Sequence, residues 1–397
     1  MANENERPGP RFSTRFAQIG IVAVLGLAFG AAATTSRADE RALLAYVGSY
    51  SNGVSIVDLQ SGARVDHLER LAYGRVFGAT LSPDGRHLYL AYIDDDRVVV
   101  LDTRTRQVVR TISTSGAPAQ MAITADGRWL YVVAVSGNAL DIVDTMTGEV
   151  VASVGVREHP NDVTLSPDER FAFVAGSGLV PERGDASVID TMSHALAQVF
   201  DIIPYNAALT VAASPRGDFL YAGFPRVPIA VLDAQTGAMI TTIDSGASIV
   251  QIRFSLDGTH ALALGQGPES VWIETQQHTV ERRIPVGGWK MAFSPDGRRA
   301  YIASFFSIAV VDLESGRVVG EHADVGEPLS IAVGPRPCEG DCDGDDTVTT
   351  DELIVAVQLA LGQPSRRCVA LDIDGSGSIA ISEVIGGVRN LLEGCQL

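Results

Sequence analysis

Lysine is almost missing from this 397-residue chain: there is one, Lys290. Lysine and arginine together number 30 against 48 aspartates and glutamates, a formal net charge of −18. A chain so acidic offers no basic face to phosphates, which excludes nucleic acid as its partner. Cysteine is scarce too. All four, Cys338, Cys342, Cys368 and Cys395, follow residue 337, so no disulfide staples the body before them. No Gly-rich phosphate loop runs from a strand into a helix, the seven histidines are scattered singly, and no Ser-His-Asp spacing stands out. The composition is not that of a disordered chain, with 46 % hydrophobic and 20 % charged residues.

Glycine (40) and proline (18) are plentiful, without a collagen period. That many turn residues favour an all-β fold, and the length favours a repeat or a closed ring over one ordinary domain. The first 38 residues read as a signal peptide. Arg7, Arg11 and Arg15 precede the apolar run Ile19 to Ala33, and Ser36-Arg37-Ala38 fits a cleavage site before Asp39. The run is short of the roughly 20 residues that span a bilayer. Export to the periplasm, the cell surface or the medium is expected, with membrane contact only if this segment stays uncleaved.

A turn recurs down the chain: Ser82-Pro83-Asp84-Gly85, Thr124-Ala125-Asp126-Gly127, Ser166-Pro167-Asp168-Glu169, Ser214-Pro215-Arg216-Gly217, Ser255-Leu256-Asp257-Gly258 and Ser294-Pro295-Asp296-Gly297, with a degenerate copy at Gly334-Pro335. The period is about 40 residues with four strands in each, which selects a β-propeller. The one long interval, between Ser166 and Ser214, is assigned to a surface loop at Val180 to Asp185. Residues Leu43 to Leu71 supply three strands and Leu329 to Val333 a fourth, so the two chain ends are expected to complete a seventh blade and close the ring. Strings such as Leu130-Tyr131-Val132-Val133 followed by Ile142-Val143-Asp144-Thr145-Met146-Thr147-Gly148-Glu149-Val150-Val151 resemble the YVTN family of bacterial seven-bladed propellers. The resemblance covers about residues 42–335 and implies the fold; propellers host both binding and catalysis.

Counting back from the Ser of each turn, the residues one and three places before it are apolar and should pack between blades. Those four places before it, Gly78, Gln120, Asp162, Thr210, Gln251, Lys290 and Ser330, are small or polar, as are most of those two places before it, among them Arg253. Alternation along a strand puts both sets on the channel side. Asp162, Arg253 and Lys290, with His159 at the mouth, therefore form the candidate ligand site. A binding or interaction role leads; the alternative is a hydrolase or lactonase with its site at the channel mouth.

After Pro337 the pattern changes. Asp341 to Glu352 is a twelve-residue loop with Asp341, Asp343, Asp345, Thr347, Thr349 and Glu352 at the oxygen-ligand positions of a calcium loop. Asp372 to Glu383 repeats it with Asp372, Asp374, Ser376, Ser378 and Glu383, and with Gly377 at the sharp sixth place where the first loop has Asp346. A helix is expected after each loop and none before the first. This arrangement resembles a dockerin module, which implies two Ca²⁺ ions and a cohesin-like partner. The exported setting and even count make Cys338, Cys342, Cys368 and Cys395 two disulfides, with three connectivities open. The expected fold is thus an all-β seven-bladed propeller over 39–335, followed by a small all-α calcium module over 336–397.

Overall fold

The computed structural model describes residues 43–50, 53–69, 71–177, 184–202, 208–323, 325–335, 348–361 and 379–393. The expected signal peptide, all four cysteines and the calcium-loop residues Asp341, Asp343, Asp345, Thr347, Asp372, Asp374, Ser376 and Ser378 lie outside them.

The strands form seven four-stranded antiparallel sheets, the blades of a propeller. Blade 1 joins the chain ends: Leu43–Ser49, Gly53–Asp58 and Arg64–Glu69 are completed by Pro328–Pro335, with Leu44 opposite Gly334 and Tyr46 opposite Ala332. The expected closure is therefore present. Blade 2 starts at Val76, blade 3 at Pro118, blade 4 at Pro160, blade 5 at Thr210, blade 6 at Ile249 and blade 7 at Lys290. In every blade the ladder between the third and outermost strands is interrupted at the same place, from Ile56/Val57 in blade 1 to Val310/Val311 in blade 7. Such a bulge increases local twist, which each blade needs to fan outward from a shared axis.

The repeated turn is built from its own side chains. Ser82 Oγ donates to Asp84 Oδ1 (2.5 Å) and accepts from His87 N (2.9 Å), while Gly85 N closes the turn on Ser82 O. Gly85, Gly127, Gly217, Gly258 and Gly297 all take φ between 68° and 73°, the left-handed region that favours glycine. The turns also interlock. A Cβ on Gly85, Gly127, Gly217 or Gly258 would lie 3.3–3.5 Å from the proline of the preceding blade's turn. Gly85 meets Pro335 this way, so Gly334-Pro335 is structurally the seventh copy. Glu169 takes the glycine position at φ 55°, and its carboxylate accepts from Ala125 N of blade 3 (2.5 Å), a contact that offsets the strain.

Apolar contacts run between neighbouring blades. The residues one place before each turn, Leu81, Ile123, Leu165, Ala213, Phe254, Phe293 and Val333, all pack against buried clusters, as expected. The expected surface loop needs correction: Gly184–Asp190 is the third strand of blade 4, and Asp185 is 1 % exposed. Val180 to Arg183, the rest of that expected loop, lie outside the described residues. Turns of the Ser-Pro-Asp-Gly type and the Asp-x-x-Thr-Gly type occupy one face, here termed the turn face; the other is the loop face.

Beyond the propeller, α1 (Thr350–Ala360) and α2 (Ile381–Glu393) are the only described helices and contact one another. Thr349 caps α1 in a reciprocal box with Glu352. Among the described residues no helix is long and apolar enough to cross a membrane.

Candidate functional site

The innermost strands place the polar residues, but not as open channel walls. Asp162, 3 % exposed, accepts from Thr210 Oγ1 of blade 5 (2.6 Å), Val211 N (3.4 Å) and Val163 N (3.0 Å). Thr210 Oγ1 accepts in turn from Ile252 N of blade 6 (3.3 Å), and Gln251 Oε1 accepts from Met291 N of blade 7 (2.6 Å). Ser330 donates to Val76 O and Gln120 to Phe77 O. Gly78 fits the same scheme by having no side chain, because a Cβ there would overlap the Ala119 carbonyl of blade 3. The expectation that this set lines the channel is corrected. These side chains lie in the seams and, in five of the seven among the described residues, tie a blade to its neighbour, since inner strands expose unpaired amides and carbonyls to one another.

Lys290 is the exception. Its stem carries the ammonium past the seam to 5.6 Å from the centre of the Phe77 ring, which belongs to blade 2. No carboxylate comes within 4 Å of it among the described residues. The residue is partly buried and keeps some solvent exposure. Burial pushes it down to about 8; Asp162 pulls it up and Arg253 pushes it further down. Asp162 of blade 4 and Arg253 of blade 6 are thus near enough to act on the charge of Lys290 in blade 7. His159 stays on the loop face, exposed, with φ 52° and its backbone N–H donated to Asn138 Oδ1 (2.9 Å).

The fold also assembles a triad the sequence spacing does not reveal. His260 Nδ1 lies 2.8 Å from Thr259 Oγ1 and its Nε2 lies 3.1 Å from Glu281, while the ring stacks on Trp272 at 5.2 Å. The single Thr259 hydroxyl proton, however, has a second acceptor in Asp257 (2.9 Å), so it is not held for His260 alone. This is a turn-face brace, not an activated nucleophile. A signal existed in the Thr259-His260 pair, but Glu281 comes from another strand.

In the tail, Glu352 and Glu383 are both buried, 1 % and 6 % exposed. Each turns its carboxylate back toward its loop. Glu352 Oε2 accepts from Thr349 N (2.7 Å), and Glu383 Oε2 accepts from Ala380 N (2.6 Å), the same ninth position of each loop. A carboxylate is an oxygen donor of the kind a hard cation takes, and the other expected ligands, apart from Thr349, lie outside the described residues.

The loop face carries a second feature. Tyr50 (53 %), Tyr73 (76 %), Phe305 (60 %) and Phe306 (64 %) are the exposed aromatics among the described residues, and all lie in loops of blades 7 and 1 or the link to blade 2. Arg75 rests 5.5 Å over the Tyr50 ring and pairs with Asp94 (2.6 Å), and Trp289 meets Phe305 edge-on at 6.4 Å.

No family model matches the chain, and no curated protein does. Solved structures match in number, 1748 chains, so the likeness identifies an architecture shared by many proteins. One is hydrazine synthase of Kuenenia stuttgartiensis, with 20 % sequence identity and a TM-score of 0.58, covering 66 % of this chain and 95 % of that chain. At that identity the likeness establishes the propeller fold alone.

Proposed function

We propose that the protein is an exported recognition protein whose propeller binds a partner protein through its loop face. The observation that carries this reading is the confinement of every exposed aromatic among the described residues to one face and to adjoining blades. Grouped exposed aromatics mark interaction surfaces, and Tyr and Phe are enriched as anchors there. The test compares capture from the exported fraction of the source cells. A single partner held by the wild type, lost by Tyr73→Ala/Phe306→Ala and retained by Met146→Ala/Met192→Ala on the turn face supports the reading. The same capture by all three overturns it.

The second reading, a hydrolase or lactonase, draws on Lys290, whose ammonium is pushed toward neutrality in the bore. Asp162 is committed to Thr210 and two amides, which favours binding over catalysis. Lactone turnover lost in Lys290→Met with the fold intact would reverse that order.

For the tail we keep the dockerin-like reading. Asp341, Asp343, Asp345, Thr347, Thr349 and Glu352 would hold one Ca²⁺, and Asp372, Asp374, Ser376, Ser378 and Glu383 a second, with a cohesin-like partner. The buried, loop-facing Glu352 and Glu383 support this. The module ties assembly or stabilisation to calcium, and Cys338, Cys342, Cys368 and Cys395 would add two disulfides. The chain reads as YVTN-type over its propeller and as signal peptide over 1–38.

A further inference from the structure

On the turn face particular side chains cross from one blade to the next. Between blades 2 and 3, Arg110 crosses to donate to Thr145 O (3.1 Å) and Met146 O (3.0 Å). Between blades 6 and 7, Arg282 crosses to Glu314 O (2.7 Å). Between blades 1 and 2, Arg106 pairs with Asp66 (2.9 Å). His194 sits edge-on to Trp129 between blades 3 and 4, and His278 bonds Tyr221 between blades 5 and 6. Between blades 7 and 1, His322 lies against Gly62.

Blades 4 and 5 have neither the crossing arginine nor the histidine. Gln198 stands at the place of Arg110 and Arg282, and Gly237 at the place of His194 and His278. Phe200 packs against Gly237 as His322 does against Gly62, and a cavity of about 530 Å³ lined in part by Phe200 remains beside this contact. Phe171 and Phe173 also line it.

Two guanidiniums stand at its rim. Arg170 lies 5.8 Å over the Phe171 ring. Arg216 occupies the turn position that is aspartate in the five other complete copies, Asp84, Asp126, Asp168, Asp257 and Asp296. In its own turn Ser214 bonds Asp218 instead (2.5 Å), so the turn closes without residue 216. Arg216 makes no hydrogen bond or ion pair among the described residues, and it lines the cavity. Asp168, the one carboxylate in the lining, is occupied by Ser166 Oγ (2.6 Å) and Arg170 N (3.2 Å).

We propose that this cavity binds an organic carboxylate with an aromatic body, the ring seated among Phe171, Phe173 and Phe200 and the carboxylate met by Arg216 and Arg170. A volume of this size suits a small molecule, and a guanidinium at an apolar rim selects charge and shape together. The site lies on the face opposite the aromatic patch and stands independently of it.

The test titrates the full chain with naphthalene-2-acetate by calorimetry and ligand-observed NMR, alongside the uncharged naphthalene-2-acetamide. The acid binds below millimolar, and the amide binds roughly tenfold more weakly or worse. Two variants copy other blades and so preserve the fold. Arg216→Asp restores the usual turn and weakens the acid at least about tenfold. Gln198→Arg crosses to the next blade as Arg110 does, abolishes binding and raises the melting temperature. Equal affinity for acid and amide, wild-type affinity in both variants, or no binding of the acid by the wild type at about 5 mM each overturns the proposal.

Discussion

Asp185→Asn should stabilise the propeller, and only at neutral and alkaline pH. Asp185 is buried, and neither carboxylate oxygen has a hydrogen bond among the described residues. Arg157 Nε stands 3.8 Å away, but the same guanidinium spends its shorter contact, 3.1 Å, on Asp201. Burial pushes the Asp185 carboxyl up to about 6; Arg157 pulls it down and Asp201 pushes it further up. In the unfolded chain it ionises near its ordinary value of 3.8. The folded state therefore prefers the protonated acid. The stability tied to that preference is whole below pH 3.8 and is lost as pH rises through about 6. Two pKa units correspond to roughly 3 kcal/mol, and screening by water around the half-exposed Arg157 reduces this to about 1–3 kcal/mol.

Asparagine keeps the shape and never ionises. Urea unfolding of the full chain, wild type against Asp185→Asn, should show a gap under about 0.5 kcal/mol at pH 4 that opens to about 1–3 kcal/mol in favour of the variant at pH 8. In thermal melts that is roughly 2–4 °C per kcal/mol for a body of this size. A gap of equal size at both pH values, or one that opens toward acid, would refute the reasoning, because the carboxylate would then be satisfied in the folded protein.

Three further outcomes follow from the same geometry. Lys290 carries the single side-chain amine of the chain, so reductive ¹³C-methylation should give one side-chain resonance, titrating near 8; titration above 10 means the ammonium is solvated. Gly78→Ala should destabilise by about 2 kcal/mol or more in urea, since the added carbon meets the Ala119 carbonyl and backbone cannot step aside; an unchanged midpoint would show a looser seam between blades 2 and 3. Titration of the full chain should find two calcium sites, the tighter removed by Asp372→Ala/Glu383→Ala and both abolished by chelator; no uptake at millimolar calcium reduces the acidic loops to solvated turns.

The architecture was legible because its determinants are local. Pro and Gly in a Ser-Pro-Asp-Gly turn act within four residues, and a strand's alternation within six, so a 40-residue period exposes both the blade and the count of blades. The closing strand was legible for a related reason: Leu329 to Val333 is a lone inner strand, and Leu43 to Leu71 is a blade without one. Placing Asp185 in a loop failed because a long interval between turns does not say where the extra residues go. The third strand of blade 4 already begins at Gly184.

The site was legible only in part, and the reason is geometric. Alternation tells which residues point toward the axis, but not what lies there. Thr210 reaches Asp162 across 48 residues of chain, and Gln120 reaches Phe77 across 43, one blade away in each case. Because inner strands run side by side, the polar side chains Ser330, Gln120, Asp162, Thr210 and Gln251 four places before the turn each find a group of the neighbouring blade within reach. Polar character at that place is therefore what a ring of packed strands requires, whatever the protein binds. Lysine is the residue type this argument does not cover. Its stem is too long to stop at the seam and it can only donate, so at Lys290 the charge is carried beyond the staples to Phe77 and the bore. A narrow channel that needed only structural polarity would be served by another Ser, Thr or Gln at position 290. A partly buried ammonium, costly to desolvate and without a carboxylate partner at hydrogen-bond distance among the described residues, is the one member of the set that packing does not explain.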